Sequence, residues 1–581
     1  MNFAMWCRHL VAGKMLGLFG ILPQSRQASV ISNFRENDAS DLARQLSVLK
    51  ELYREANTEA LTQRARAAWL HELAKALARP PKGWRRWLPY ELWSRRVLRR
   101  LAAENIFDGA DYMSRYPDVR LDGQNPVYHY LAHGIGEGRD AGGRLSTCAH
   151  IDPDLSAIPE ILASRLFDAN WYAERYGVTG SERDLAEDFL RASAADALRQ
   201  PGPLFSGSFY SLENPDIREI NPLVHYLRYG MQQGRRAFQS ATADAFMTDA
   251  SDQPIHTIYD LLEPGRPVVV LHWKDGNFFF TDIAKYISEV LNSQGYRVIL
   301  RDDHRNIDLR SVEIIVVAPH EYCVHGPGVE FTPQVAGRIV YVNLEQWHTS
   351  WFSLALDKML KSRKALDINP LSARGLSRLG IKAGFLPLLP AKGGVFDLGQ
   401  APPSRQLTQL RAIKPLTYPR DILKRPYDIL FVGYLNERRA RALADLGHAL
   451  SGFDCFLHAP RFNGPVTTEN PNMIGGRDVA QIAQHAKLLL NIHQGESHYF
   501  EWHRLVISGI AQGCIPLTEP CADIGIVKPG EHYIEAAIEE MPARIEWLLS
   551  TSEGQMEIKR LHKNGQVLMA RLQKQFAGRA L

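Results

Sequence analysis

Between His493 and Arg504 the sequence crowds His493, Gln494, Glu496, His498, Glu501 and Arg504 into one short stretch. Ionisable groups at that density cost stability unless they are used, which marks the stretch as a candidate for chemistry on a polar ligand. A second set is Gly433, Asn436, Arg438 and Arg439, where a glycine turn feeds an arginine-rich helix. Free backbone N–H groups at a helix start, with guanidinium forks beside them, form a natural seat for a diphosphate. The plainer reading is that arginines in a first helical turn are simply exposed, and that a polar loop is only a connection.

The elements that must position these groups follow from the flanking pattern. Leu488–Ile492 is an apolar run of the length of one buried parallel strand. Trp502, Leu505, Val506, Ile510 and Ala511 then recur at helical spacing, Gly513 ends that helix, and Ile515–Leu517 begins another strand. This is a βαβ unit, whose ligands sit beyond the carboxyl ends of the strands. The run from Tyr427 to Gly433 opens the same domain. An earlier domain of the same kind has strands at Pro267–His272, Gly295–Leu300, Val312–Ala318 and Gly337–Asn343. Its polar strand ends are His272 with Asp275, His320 with Glu321, and Asn343 with Glu345 and Gln346.

The chain has 581 residues, too many for one core, with apolar and charged fractions of 45% and 23% that belong to ordinary globular proteins. A net charge of +4 is small for this length and gives no reason to expect a nucleic-acid partner. The six cysteines form no CxxC pair, which argues against a zinc site or a disulfide framework and fits a reducing cytoplasm. The first residues, broken by Arg8, His9 and Lys14, lack a signal-peptide core, and no transmembrane run is present, so a cytoplasmic location is expected.

Residues 1–105 read as helical, with a basic, tryptophan-rich segment at 82–100. Such a segment suits either a membrane surface, at the inner face of the plasma membrane, or a packed helix with solvated arginines. From 106 to 240 the chain repeats itself. Phe107-Asp108, Tyr112, Asn125-Pro126, His129-Tyr-Leu131 and Gly134 return in order as Phe205, Tyr210, Asn221-Pro222, His225-Tyr-Leu227 and Gly230, with a worn copy opening at Phe167-Asp168. Each unit reads as a small helical module, started by Asn-Pro and stopped by glycine. His129 and His225 read as packed or capping residues. Residues 241–265 are polar and irregular, and read as a linker; 391–424, with Pro402-Pro403, Pro415 and Pro419, reads as an interdomain connection.

The modules resemble the FD-x-x-YY, NPDV and HYL-x-x-G repeats appended to bacterial polysaccharide glycosyltransferases. From Pro267 onward the chain resembles a GT-B glycosyltransferase. The pieces that carry this are Asn343-Leu-Glu-Gln346, Phe385-Leu-Pro-Leu388, Phe431-Val-Gly433 with Asn436-Glu-Arg-Arg439, and Phe500-Glu-Trp-His-Arg504 through Gly513. The last portion, with Pro529-Gly-Glu-His532, is similar to the spore-coat-type family. The fold so implied is α/β: two doubly wound Rossmann-like domains, 266–415 for the acceptor and 416–581 for the nucleotide-sugar donor, after an α-helical N-terminal region with small helical repeats.

The resemblance implies transfer of a sugar from a nucleotide-diphosphate sugar to a glycan, lipid-linked or protein acceptor, with no cofactor and no catalytic metal. It places Gly433, Asn436, Arg438 and Arg439 near the diphosphate and His493 near the sugar or phosphate. Glu501 would take the ribose hydroxyls and Arg504 the leaving phosphate. Many retaining relatives carry a second glutamate where Ser508 stands here, which leaves the stereochemistry open. An inverting enzyme would draw its base from Asp275, His320 or Glu345. Asp152-Pro-Asp154 reads as a turn. Two rivals stand beside the transferase: a binding protein that keeps the fold, favoured by Ser508, and a nucleotide-sugar epimerase.

Overall fold

A computed structural model describes most of residues 107–134, 154–390 and 421–578, with a few positions before 107 and between 391 and 420, and gaps at 462–473 and in shorter runs. The expectations for residues 1–105, including the basic segment at 82–100, lie almost wholly outside the described residues. Two compact units divide the chain: 1–151 with 194–197, and 152–193 with 198–581. No helix among the described residues is long and apolar enough to cross a membrane.

In the first unit Asp108 caps the helix Gly109–Arg115 and Asn125 caps Pro126–His129. The Tyr112 hydroxyl meets His129 Nδ1 at 3.1 Å. The second unit contains the same arrangement. Ser206 caps Gly207–Glu213, Asn221 caps Pro222–His225, and the Tyr210 hydroxyl lies 2.9 Å from His225 Nδ1. Gly230 has to be glycine, since a Cβ there would fall 2.0 Å from that hydroxyl. In the stretch opened by Asp168, Asp188 takes the place of the histidine, accepting from the Tyr172 hydroxyl at 2.7 Å.

Residues 241–265 are no loose linker. Helix α1 (Ser240–Asp249) buries Ala243, Phe246 and Met247, a short helical stripe hidden among polar residues. Beyond it His256 bridges to Gly384.

The first sheet has six parallel strands: β1 (Val268–Leu271), β2 (Val298–Arg301), β3 (Glu313–Val317), β4 (Val340–Asn343), β5 (Lys364–Asp367) and β6 (Lys382–Phe385). Their order is β2-β1-β3-β4-β5-β6. β1, β3 and β4 are buried along their whole length, which is why they read as unbroken apolar runs. Helix α2 (Phe278–Ser293), capped by Asn277, covers one face, while α3 (Ser350–Ser362) and α4 (Pro370–Arg378) follow β4 and β5. The module at 205–238 packs on α3: the Tyr226 hydroxyl donates to Ser353 Oγ at 3.0 Å, and Ser353 Oγ donates to the Arg235 carbonyl at 2.7 Å.

The second sheet comprises β7 (Tyr427–Val432), β8 (Cys455–His458), β9 (Ala486–Asn491), β10 (Ile515–Thr518) and β11 (Ile534–Glu535), in the order β11-β10-β9-β7-β8. Helices α5 (Glu437–Leu450) and α6 (Gly476–Ala483) belong to it. The last helix, α7 (Ser552–Gly578), returns to the first domain, where Leu568, Met569 and Leu572 join the core around β1 and α2.

The helix expected over 502–511 takes another form. His503–Ile507 is a π turn, Ile510–Gln512 a 3₁₀ turn, and Gly513 closes the segment at φ 68°. Its apolar side is shared with the first domain: Phe500, Trp502, Leu505 and Val506 join the β1–α2 core, and Trp502 Nε1 donates to the Leu388 carbonyl at 3.0 Å. The segment is squeezed where it turns. A Cβ on Gly509 would meet Pro516 Cγ at 2.6 Å and the Leu505 carbonyl at 3.0 Å. Gly509→Val should therefore cost about 1–3 kcal/mol by overpacking, seen as a lower thermal midpoint.

Candidate functional site

Each sheet has one point where its strand order reverses, between β1 and β3 in the first and between β7 and β9 in the second. Loops leaving such a point diverge and open a crevice. In the second domain the crevice lies between Gly433, after β7, and His493, after β9. Asn436 joins its walls: Oδ1 caps α5 through Arg439 N at 2.8 Å, and Nδ2 donates to the Gln494 carbonyl at 2.8 Å.

Facing this crevice across from α2 is a cavity of ≈ 240 Å³. The second domain contributes Gly433, Tyr434, Arg477, His503, Arg504 and Ser508, and the first contributes Asn277, Phe279 and Asp282. Arg504 donates to the Val432 carbonyl, and its Nε stands 3.2 Å from Glu501 Oε2. That separation suits an ion pair, but the alignment does not suit a hydrogen bond, and Oε2 has no hydrogen-bond partner. Glu501 is buried; burial pushes its carboxyl up, but Arg504, His503, His493 and Arg439 outweigh this and hold it below its ordinary value. Burial lowers His503 to about 4, so its ring is neutral, lying 5.3 Å from Phe279 with a buried, unpartnered Nδ1.

The two arginines expected beside a diphosphate are otherwise engaged. Arg438 holds both oxygens of Glu519 and donates to the His493 carbonyl at 3.0 Å. Arg439 is 3% exposed, donates to the carbonyls of Ile492 at 2.9 Å and Tyr434 at 3.2 Å, and is brought down to about 10 by burial. Both brace the loop after β9, and neither lines the cavity. The reason is sequence distance: apart from the Tyr434 carbonyl, their partners, Ile492, His493 and Glu519, directly follow β9 and β10. His493 is buried as well, its N–H on Glu519 Oε2 at 2.7 Å and its Nε2 3.4 Å from Thr518 Oγ1.

In the first domain Asp275 is exposed on its loop and does not line the cavity. Glu345 is in a different position. Its Oε1 stands 3.3 Å from His320 Nε2. Burial, reinforced by Glu321, raises Glu345 to about 8, while burial lowers His320 to about 3. At neutral pH the proton of this pair therefore resides on the carboxyl. Asp367, at the end of β5, is raised to about 7 by burial, although Asn343, Ser372 and the Asn369 N–H all donate to it. The loop after β9 reaches these groups. Burial pushes the Tyr499 phenol well up, and Asp367, Glu345 and Glu501 add to the shift. A Cβ on Gly495 would lie 3.6 Å from His348 Nε2.

A further group holds the loop from outside both sheets. Asp244 on α1 accepts from Ser497 Oγ at 3.1 Å and from the His498 N–H at 3.0 Å. Asp244→Ala should release this loop, giving faster proteolytic cleavage around Gly495–His498 with little change at α2. Sequence reasoning missed Asp244, because nothing local announces a contact across 253 positions. It also missed Glu519, which was legible as the polar residue closing the run Ile515–Thr518. Asp154 caps a 3₁₀ turn and pairs with Arg228. Among the described residues no group of three or more His, Cys, Asp or Glu is arranged for a metal.

The fold and the cleft define two doubly wound parallel α/β domains that face one another. No family model matches the chain, and no curated protein matches it. Among solved structures it is similar to an alpha1,3-fucosyltransferase (10% identity, 58% of this chain and 96% of that one, TM-score 0.30). It is also similar to Anabaena Alr3699/HepE in complex with UDP (11%, 54% and 98%, TM-score 0.31). A third is the glycosyltransferase SnogD from Streptomyces nogalater (13%, 53% and 98%, TM-score 0.25). Superpositions this loose carry no functional weight.

Proposed function

We propose that the chain is a GT-B glycosyltransferase that moves a sugar from a nucleotide-diphosphate donor to an acceptor hydroxyl. The observation that carries this reading is the cavity beyond the end of β7, lined from both domains and with Gly433 and Arg504 in its wall. Of the two arginines that line the cavity, Arg477 and Arg504, Arg504 is the one whose guanidinium is fixed, by Glu501 and the Val432 carbonyl, and it meets the leaving diphosphate as a charge that needs no reorganisation. Glu501, held ionised 3.2 Å from its Nε, orients the guanidinium. Neutral His503 also lines the cavity and presents its ring to a ribose or base.

Glu345 is the group best placed to take the acceptor proton. It lies at the end of β4, close enough to the loop after β9 to be felt by Tyr499, and its raised value makes its carboxylate a stronger base than an ordinary glutamate. A base on the domain opposite the donor fits inversion at the anomeric carbon. The donor half of this reading is tested by titrating the full chain with UDP, GDP, dTDP and CMP: one of them should bind, and Arg504→Ala should abolish it. The binding-protein rival is favoured only by Ser508, which lines the cavity without an acidic function. It predicts nucleotide binding with no turnover on any acceptor.

A further inference from the structure

Trp351 is the one tryptophan among the described residues whose side chain stands open to solvent, 47% exposed, while Trp347 four positions earlier is buried. This indole stands at the first turn of a helix that otherwise buries Phe352, Ala355, Leu356 and Met359. Its surroundings are polar and built. Its ring centroid is 5.8 Å from that of His320, tilted by 50°. His320 is 2% exposed, with an unpartnered buried Nδ1 on one side of the ring and Glu345 Oε1 3.3 Å from Nε2 on the other. Phe280 closes the far side of His320 edge-on at 5.3 Å. Exposed indole, neutral imidazole and carboxyl thus form one continuous strip at the strand ends of the first domain.

We propose that Trp351 is the acceptor platform, and that the acceptor group it takes is a pyranose ring of a neutral glycan rather than a lipid phosphate or a peptide. This rests on the reading of the cleft as a glycosyltransferase site. A pyranose presents one face of C–H groups, which pack on the negative face of an indole, and a rim of hydroxyls that need polar partners at its edge. Trp351 supplies the first and the His320–Glu345 pair the second, in contact with one another. A sugar stacked on Trp351 turns a hydroxyl toward Glu345. A phosphate there would meet a neutral imidazole and the protonated carboxyl of Glu345, neither of which neutralises its charge. An extended peptide would need backbone partners from a free sheet edge, whereas β3 and β4 are interior strands of the sheet.

The test uses the full chain, with Trp351→Ala and Trp351→Phe. Binding of a panel of neutral bacterial-type oligosaccharides is followed by saturation-transfer NMR in the presence of whichever nucleoside diphosphate binds, and if none binds, without one. Vesicles containing undecaprenyl phosphate and a serine-rich peptide form the two comparison arms. At least one oligosaccharide should bind, Trp351→Ala should weaken it about tenfold or more, and Trp351→Phe should retain most of the affinity. Nucleotide affinity should be the same in all three proteins. Oligosaccharide binding that survives Trp351→Ala, no oligosaccharide binding at all, or binding only to the lipid or the peptide would overturn the proposal. Failure of every nucleotide to bind would instead refute the donor-site reading, so the two failures are told apart.

Discussion

Arg504→Ala should abolish stabilisation by nucleoside diphosphates and lower turnover by roughly 10²–10³, the usual loss when one fixed charge is removed from a developing anion. The variant carries a second defect. Glu501 is 6% exposed and faces Arg504 at 3.2 Å, so the truncation strands a buried carboxylate. Breaking a buried pair from one side costs about 3–5 kcal/mol, which alone lowers the thermal midpoint and confuses the result. The double variant Glu501→Gln/Arg504→Ala removes the stranded charge, and it should regain much of the lost stability while remaining blind to nucleotides. Calorimetric titration with each nucleotide, beside unfolding curves, separates the two effects. Recovery of nucleotide binding in the double variant would mean that Arg504 serves only to neutralise Glu501.

Glu345→Gln is the second large effect. If Glu345 takes the acceptor proton as proposed, the variant should lower turnover by about 10²–10⁴, and because Glu345 does not line the cavity, nucleotide affinity should be unchanged. The wild-type pH profile carries the signature. With its value raised to about 8, Glu345 is ionised in only a small fraction of molecules at pH 6. The rate should climb with pH, flatten above about 8, and lose that limb in the variant. Stability runs the other way. The folded state keeps a proton that the unfolded chain releases near the ordinary value of 4.5, so folding weakens as pH rises from there toward about 8. Glu345→Gln should flatten that slope. A rate profile with no limb near 8 would remove Glu345 from the chemistry.

The sheets were legible because parallel strands buried on both faces write themselves as Val-Ile-Leu runs, as at 268–271 and 313–317. Gly433 and Arg504 both line the cavity: the first directly follows β7, and the second lies in the π turn His503–Ile507. Arg438 and Arg439 were misplaced for a physical reason: an arginine at a helix start faces a ligand or a neighbouring loop according to carboxylates and carbonyls elsewhere in the chain. Here Glu519 and the carbonyl of Ile492 take them. The segment 502–511 carries helical spacing, but its side chains serve two cores, and Gly509 against Pro516 breaks the regular helix. Helix α1 escaped because three apolar side chains among polar ones are too short a stripe to stand out. Asp275, Glu345 and His320 were equivalent as strand-end residues; only burial, which sequence does not carry, separates an exposed aspartate from a carboxyl raised to about 8.

Hydrogen–deuterium exchange of the full chain, with and without UDP, GDP, dTDP or CMP, decides most directly whether the β7–β9 crevice holds a nucleotide. One of these should protect the amides after β7, around Gly433–Asn436, and those of the turn from Glu501 to Ser508, with β2 and β6 unaffected. Absence of protection with all four, or protection confined to residues away from the β7–β9 reversal, would contradict a donor site at that crevice.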